Sequence, residues 1–138
     1  MRQDRNDGLK GGLAMFIKIG LKYDALINDT VNESQTVGIS TDSGNIVVAN
    51  VYVAPNVYID KSSMNTLFKG NKTLVVGDLN AKSQLWGSPE QNNRGNVLEK
   101  LIEENDFVVV KTGQPTYQIH HGGLSYLDVT FASVKHKM

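Results

Sequence analysis

The 138 residues carry 14 basic and 14 acidic side chains, so the chain is formally neutral. That excludes a global electrostatic signal for nucleic acid or membrane, and any nucleic-acid contact needs a local basic rim. There is no cysteine, which excludes disulfides and thiolate metal sites, and 40% hydrophobic residues suit one soluble α/β or α+β unit.

Residues 1–12, MRQDRNDGLKGG, read as a polar loop leading into a single domain over 1–138. They lack the apolar stretch of a secretion signal. The longest apolar runs are too short to span a bilayer. A nuclear or cytoplasmic protein is therefore expected. Leu13 to Ile19 is apolar and strand-like, and Lys22 to Leu26 begins a second strand after a turn at Gly20. Thr36–Thr41 and Asn45–Val53 form two strands joined by Asp42-Ser43-Gly44, a good hairpin turn. The second strand is nearly continuous in Val and Ile, which places it centrally in a sheet. On it Ile46, Val48, Asn50 and Tyr52 share one face. Asn50 and Tyr52 therefore emerge together at its far end, Asn50 in a structural role.

Asp60 to Lys69 suits a helical crossover capped by Asp60 or Ser62. Thr73 to Val76 is a short β-branched run, the composition of a buried strand. It stops at Gly77, and Asp78 and Asn80 follow. On an extended backbone these two side chains point the same way, about 7 Å apart. A carboxylate and an amide at the carboxyl end of a buried strand can hold a hard cation or a phosphate. Gly-Asp and Asn are also turn residues whose side chains bond their own backbone. Both readings stand at this point.

Ala81 to Asn93 is a loop containing the only tryptophan, Trp86. Packing of the loop against the sheet suits that ring. Asn93 to Asn105 is a helix with Val97, Leu98, Leu101 and Ile102 in one stripe, capped by Asn92 or Asn93. Arg94 near its start is unfavourable for the dipole. It needs a specific partner, a phosphate or a nearby carboxylate. Phe107 to Val110 is a further buried strand, and Gly113-Gln-Pro115 breaks the chain. Leu124 to Val134 is the last strand, with Tyr126, Asp128 and Thr130 on one face. One acid in an apolar strand is costly unless paired, so Asp128 marks either chemistry or a buried partner. His120 and His121 are adjacent and diverge on a strand, which argues against a shared metal. His136, between two lysines, reads as a solvated tail. Strands alternating with a few helices give mixed α/β layers.

VYVAP, GDLNA with LWGS after it, NNRGNVLEKLIEEN, PTY and SYLDVTFAS occur in this order. Together they resemble the endonuclease/exonuclease/phosphatase superfamily. More narrowly, they are similar to the apurinic-like endonuclease domain of jockey-like non-LTR retrotransposons, which sits ahead of a reverse transcriptase. LWGS followed by NNRG argues against a phosphatase branch.

The resemblance implies a four-layer α/β sandwich, two stacked mixed sheets flanked by helices. It implies magnesium-dependent nicking of DNA, with manganese as an alternative ion, and no membrane partner. Asp78 would orient or deprotonate the attacking water beside the metal. Asn80 and Tyr52 would hydrogen-bond the phosphate, with Arg94 and Trp86 as further substrate contacts. Asp128 would fix a catalytic histidine. The family's early metal-site asparagine and glutamate, and its late Ser-Asp-His, have no counterpart here. His120, His121 and His136 do not match that histidine. The expectation is therefore a domain without its first strands and last strand. Alone, it should nick little or not at all, or only bind nucleic acid or metal weakly.

Overall fold

The computed structural model describes residues 1–4, 12–26, 33–110, 114–118 and 120–134. His136, Gly113 and residues 5–11 of the opening stretch lie outside the described residues.

A six-stranded mixed sheet organises the molecule. Its strands are β3 (Tyr23–Leu26), β4 (Glu33–Thr41), β5 (Gly44–Tyr52), β6 (Thr73–Asp78), β7 (Phe107–Val109) and β10 (Asp128–Ser133). They lie in the order β3-β4-β5-β6-β10-β7. Two smaller sheets pair β1 (Arg2–Asp4) with β2 (Gly12–Ala14) and β8 (Tyr117–Gln118) with β9 (Leu124–Ser125). The Val- and Ile-rich strands β5 and β6 take the two central places, as their composition requires. The β4–β5 hairpin closes at Asp42-Ser43, with Thr41 opposite Gly44. From β5 the chain crosses through α1 (Lys61–Leu67) and returns as β6, parallel to β5. Asp60 caps α1 by accepting from the backbone N–H groups of Ser62 and Ser63.

Both helices cover one face of this sheet. Met64 and Leu67 of α1 and Leu98, Leu101 and Ile102 of α2 (Asn93–Glu104) meet Ala49, Val51, Val75, Val129 and Phe131. Phe131 is fully buried. Its ring lies 5.6 Å from that of Phe68 and 5.7 Å, edge-on, from that of Trp86. Asn92 caps α2 through its side chain on the Gly95 N–H. Val97 lies at the margin of the apolar stripe, and Gly95 takes a buried place beside it. A Cβ on Gly95 would fall 2.8 Å from the Lys82 carbonyl carbon and closer still to its oxygen. Helix propensity alone favours Gly95→Ala by about 1 kcal/mol. The clash with rigid backbone reverses the sign, and a net loss of about 2 kcal/mol is expected in urea unfolding. A gain in stability would show that α2 does not approach the Lys82 backbone this closely.

The opposite face starts a second layer. Gln35 Nε2 donates to the Leu13 carbonyl at 3.2 Å and Asn50 Nδ2 to that of Ala14 at 3.5 Å. These ties lay β2 over β4 and β5. This is the mixed α/β layering expected from the order of elements, with helices on one side of the sheet and a stacked strand pair on the other.

Three local expectations change. Arg2–Asp4 pairs as a strand where a loop was read, because Gln3 lies opposite Leu13. The Leu13–Ile19 run is a strand only as far as Ala14. Phe16 is 97% exposed and Ile19 100%, since no described layer faces them; apolarity signals a wish for burial, not a place. The Leu124–Val134 run is divided. β9 turns back on β8, and β10 begins afresh at Asp128. Asp128 is thus an exposed first residue, so the burial cost attached to it does not arise. Among the described residues no helix is long and apolar enough to cross a membrane.

Candidate active site

Strand register brings the sequence-predicted residues together. Tyr52 at the end of β5 is paired in register with Asp78 at the end of β6. Asp78 is in turn directly opposite Asp128 at the start of β10. Directly paired residues on neighbouring strands project to one face. Tyr52, Asp78 and Asp128 therefore form a row across three strands, on the face away from the helices. Thr116 Oγ1 accepts from the backbone N–H groups of Leu127 and Asp128 at 3.1 and 3.2 Å, which fixes the start of β10.

Asn80 stands differently from the extended-chain expectation. β6 ends at Asp78, Leu79 turns into the core, and Asn80 has a left-handed backbone with φ 45°. Its N–H donates to Asp78 Oδ1 at 2.9 Å, so the side-chain-to-backbone turn is real. Its Nδ2 donates to the Val53 carbonyl at 2.9 Å, while the Val53 N–H donates to Asp78 O. The amide is thereby locked to the end of β5. The turn and the cluster are the same structure: the turn holds Asn80 beside the row.

Two further side chains fasten this turn. Asn92 Nδ2 donates to the Asn80 carbonyl at 3.1 Å. Its Oδ1 accepts from the N–H groups of Lys82 and Gly95. Arg94 Nη1 reaches the same Asn80 carbonyl at 3.5 Å. Its Nη2 donates to the carbonyls of Ala54 at 3.0 Å, Val57 at 2.6 Å, and Pro55. Among the described residues the hydrogen-bond partners of Arg94 are backbone oxygens rather than a carboxylate. Trp86 is 4% exposed and its N–H donates to the Ala81 carbonyl at 3.0 Å. That geometry matches packing of the loop rather than a surface contact. His120 and His121 lie in the β8–β9 turn; neither is in the row.

Electrostatics single out Asp78. Burial pushes its carboxyl above the ordinary range, the Asn80 N–H pulls it back, the charge on Asp128 adds to the rise, and Arg94 opposes it. A divalent cation beside the carboxylate would offset both the burial and the repulsion. Among the described residues no group of three His, Cys, Asp or Glu side chains stands ready to hold a metal. One or two carboxylates, with water and phosphate oxygens completing the shell, is nonetheless the usual arrangement for magnesium. The donor set fits a magnesium ion to that extent. A cleft of about 390 Å³ opens next to Asp128, lined by Val76, Val109, Gln114, Thr116, Tyr126 and Thr130. Tyr52 and Asp78 are not part of its lining.

Sequence reasoning named Asn92 as a helix cap, which the structure bears out, and Gly77 as a strand end, but gave neither a role at the site, and it did not single out Thr116. Thr116 and Asn92 sit inside PTY and NNRG, and their hydroxyl and amide atoms were the available signal. Gly77 gave only the signal of a strand end.

The endonuclease-reverse transcriptase family model matches residues 46–138. The chain is 34% identical over 112 residues to an RNA-directed DNA polymerase from mobile element jockey of Drosophila melanogaster, covering 78% of this chain and 12% of the relative. It is 26% identical over 119 residues to a probable RNA-directed DNA polymerase from transposon BS of the same species, covering 83% and 13%. The chain thus spans about an eighth of the length of the curated relatives it matches. Among solved structures it superimposes on the endonuclease domain of TRAS1, a telomere-specific non-LTR retrotransposon. The TM-score is 0.71 at 26% identity, over 83% of this chain and 54% of that one.

Proposed function

Because the chain belongs to the endonuclease-reverse transcriptase family, we propose that it hydrolyses phosphodiester bonds in DNA, as the nicking part of a non-LTR retrotransposon protein covalently linked to a reverse transcriptase. The row of Tyr52, Asp78 and Asp128 across three neighbouring strands carries this reading. Asp78 orients or deprotonates the attacking water, since a carboxylate at the end of β6 is an acceptor for its proton. Asn80 has two amide hydrogens and uses one on Val53; the second can donate to a phosphoryl oxygen. The Tyr52 hydroxyl donates to the same phosphate. Asp128, opposite Asp78 in the same row, would orient a proton-carrying group. Bound magnesium, or manganese in its place, held by Asp78 would neutralise charge on the phosphate. A DNA-nicking polypeptide of this kind acts in the nucleus or cytoplasm.

The match to the TRAS1 endonuclease domain spans 54% of that chain, which favours one refinement. The 138 residues alone should cut weakly or only bind. The test is relaxation of supercoiled plasmid in magnesium and in chelator, by the 138-residue chain and by a longer polypeptide extended in its own reading frame. Magnesium-dependent nicking by the longer polypeptide is expected, with at most weak nicking by the shorter. No nicking by the longer form, or equal nicking in chelator, would overturn the reading.

A further inference from the structure

Arg94 occupies the first turn of α2, where the helix dipole disfavours a cation. Among the described residues its donors are directed at four carbonyl oxygens rather than at an acid. Three belong to Ala54, Pro55 and Val57, in the loop that leaves β5 just after Tyr52. The fourth is the Asn80 carbonyl, in the turn that begins at Asp78. These segments are separated from Arg94 by 40 and 14 positions in the chain. A planar guanidinium offers five N–H groups in a fixed fork, so it can serve several acceptors at once. An ammonium has three donors at one point and cannot reproduce the spread.

The geometry points to Arg94 as a positioning residue, which braces the loop after Tyr52 against the Asp78–Asn80 turn so that the phosphate-facing groups keep one arrangement. The brace stands on the contacts alone; its consequence for nicking rests on the function proposed above. A second tie runs the same way. Asn92 holds the Asn80 carbonyl from α2's cap position, so the helix start clamps the turn twice. This role differs from a phosphate contact, which would leave the guanidinium facing solvent and DNA.

The test uses the full chain with Arg94→Lys, which keeps charge and stem, and Arg94→Gln. Amide exchange is followed at Val57 and Asn80, whose N–H groups are bonded to Ala54 O and Asp78 Oδ1. Binding to a DNA duplex is measured over a range of salt concentrations. Exchange about tenfold faster at both positions is expected in both variants, with an unchanged slope of log affinity against log salt. In a polypeptide that nicks, kcat should fall about 100-fold while KM holds, and lysine should not restore it. Exchange unchanged in Arg94→Lys would overturn the brace. So would a salt slope that drops by about 0.9 in Arg94→Gln and returns in Arg94→Lys, which is the signature of one lost phosphate contact. Should the wild-type polypeptide not nick, the functional reading fails while the exchange result still decides the brace.

Discussion

Asp78→Asn in the longer polypeptide should abolish plasmid nicking, by about 1000-fold or more, without lowering stability. The two effects separate because the substitution removes a charge and little else. Asparagine keeps an oxygen for the Asn80 N–H that now donates to Asp78 Oδ1. It cannot take a proton from water or bind a cation strongly. Burial and the neighbouring Asp128 raise the Asp78 carboxyl above its ordinary range. A raised acid favours the fold below its unfolded pKa, and that contribution is lost as pH rises through the folded one. At neutral pH the wild type carries the ionised, disfavoured form and the variant does not. The variant should therefore be as stable or more stable at neutral pH, and the gap should close as pH falls below the ordinary aspartate range. Thermal melts across that range measure it. A variant markedly less stable at neutral pH would mean that the carboxylate holds the turn together, and nicking at the wild-type rate would remove Asp78 from the chemistry.

Gly77→Ala should cost about 4 kcal/mol, a large part of the stability of a domain this size. Two penalties combine. Gly77 has φ 137°, in the region that side chains rarely adopt. A Cβ there would also lie 2.9 Å from the Val51 carbonyl carbon, 3.0 Å from its nitrogen, and nearer still to its oxygen. Val51 is the residue paired with Gly77 across β5 and β6, so the obstacle is ladder backbone at the centre of the sheet and cannot step aside. Gly20 separates the two penalties, since its φ is 95° and nothing lies within 4 Å of its Cβ position. Gly20→Ala should cost only about 1 kcal/mol of strain. Urea midpoints with unchanged slopes are the measurement. Equal losses at the two glycines would mean that β6 does not approach β5 as described, and with it the register that sets Asp78 beside Tyr52 would be lost.

That register is where local reading ends. The hairpin at Asp42-Ser43, the cap at Asp60, the apolar stripe of α2 and the β-branched run of β6 were all legible, because each is a preference of a few neighbouring residues. That Tyr52 and Asp78 stand at strand ends was legible from composition, with the family motifs adding their order. The position of Asp128 was not, since its run was read as one long strand and β10 starts only where β9 has left to pair with β8. Nor were the partners of Arg94, because residue type shows that a cation needs acceptors but not which carbonyls the folded chain brings within reach. Phe16 and Ile19 show the same limit in reverse, apolar side chains for which the described fold provides no cover. The sequence by itself determined the elements, their caps and the chemical groups available, since these depend on backbone preference and side-chain chemistry over one or two turns. Only tertiary structure decided which strand ends lie side by side, how close two backbones come at Gly77 and Gly95, and which way Arg94 spends its donors. Those outcomes arise from hydrogen-bond pairing and packing between segments tens of residues apart, where no single stretch holds both halves of the contact.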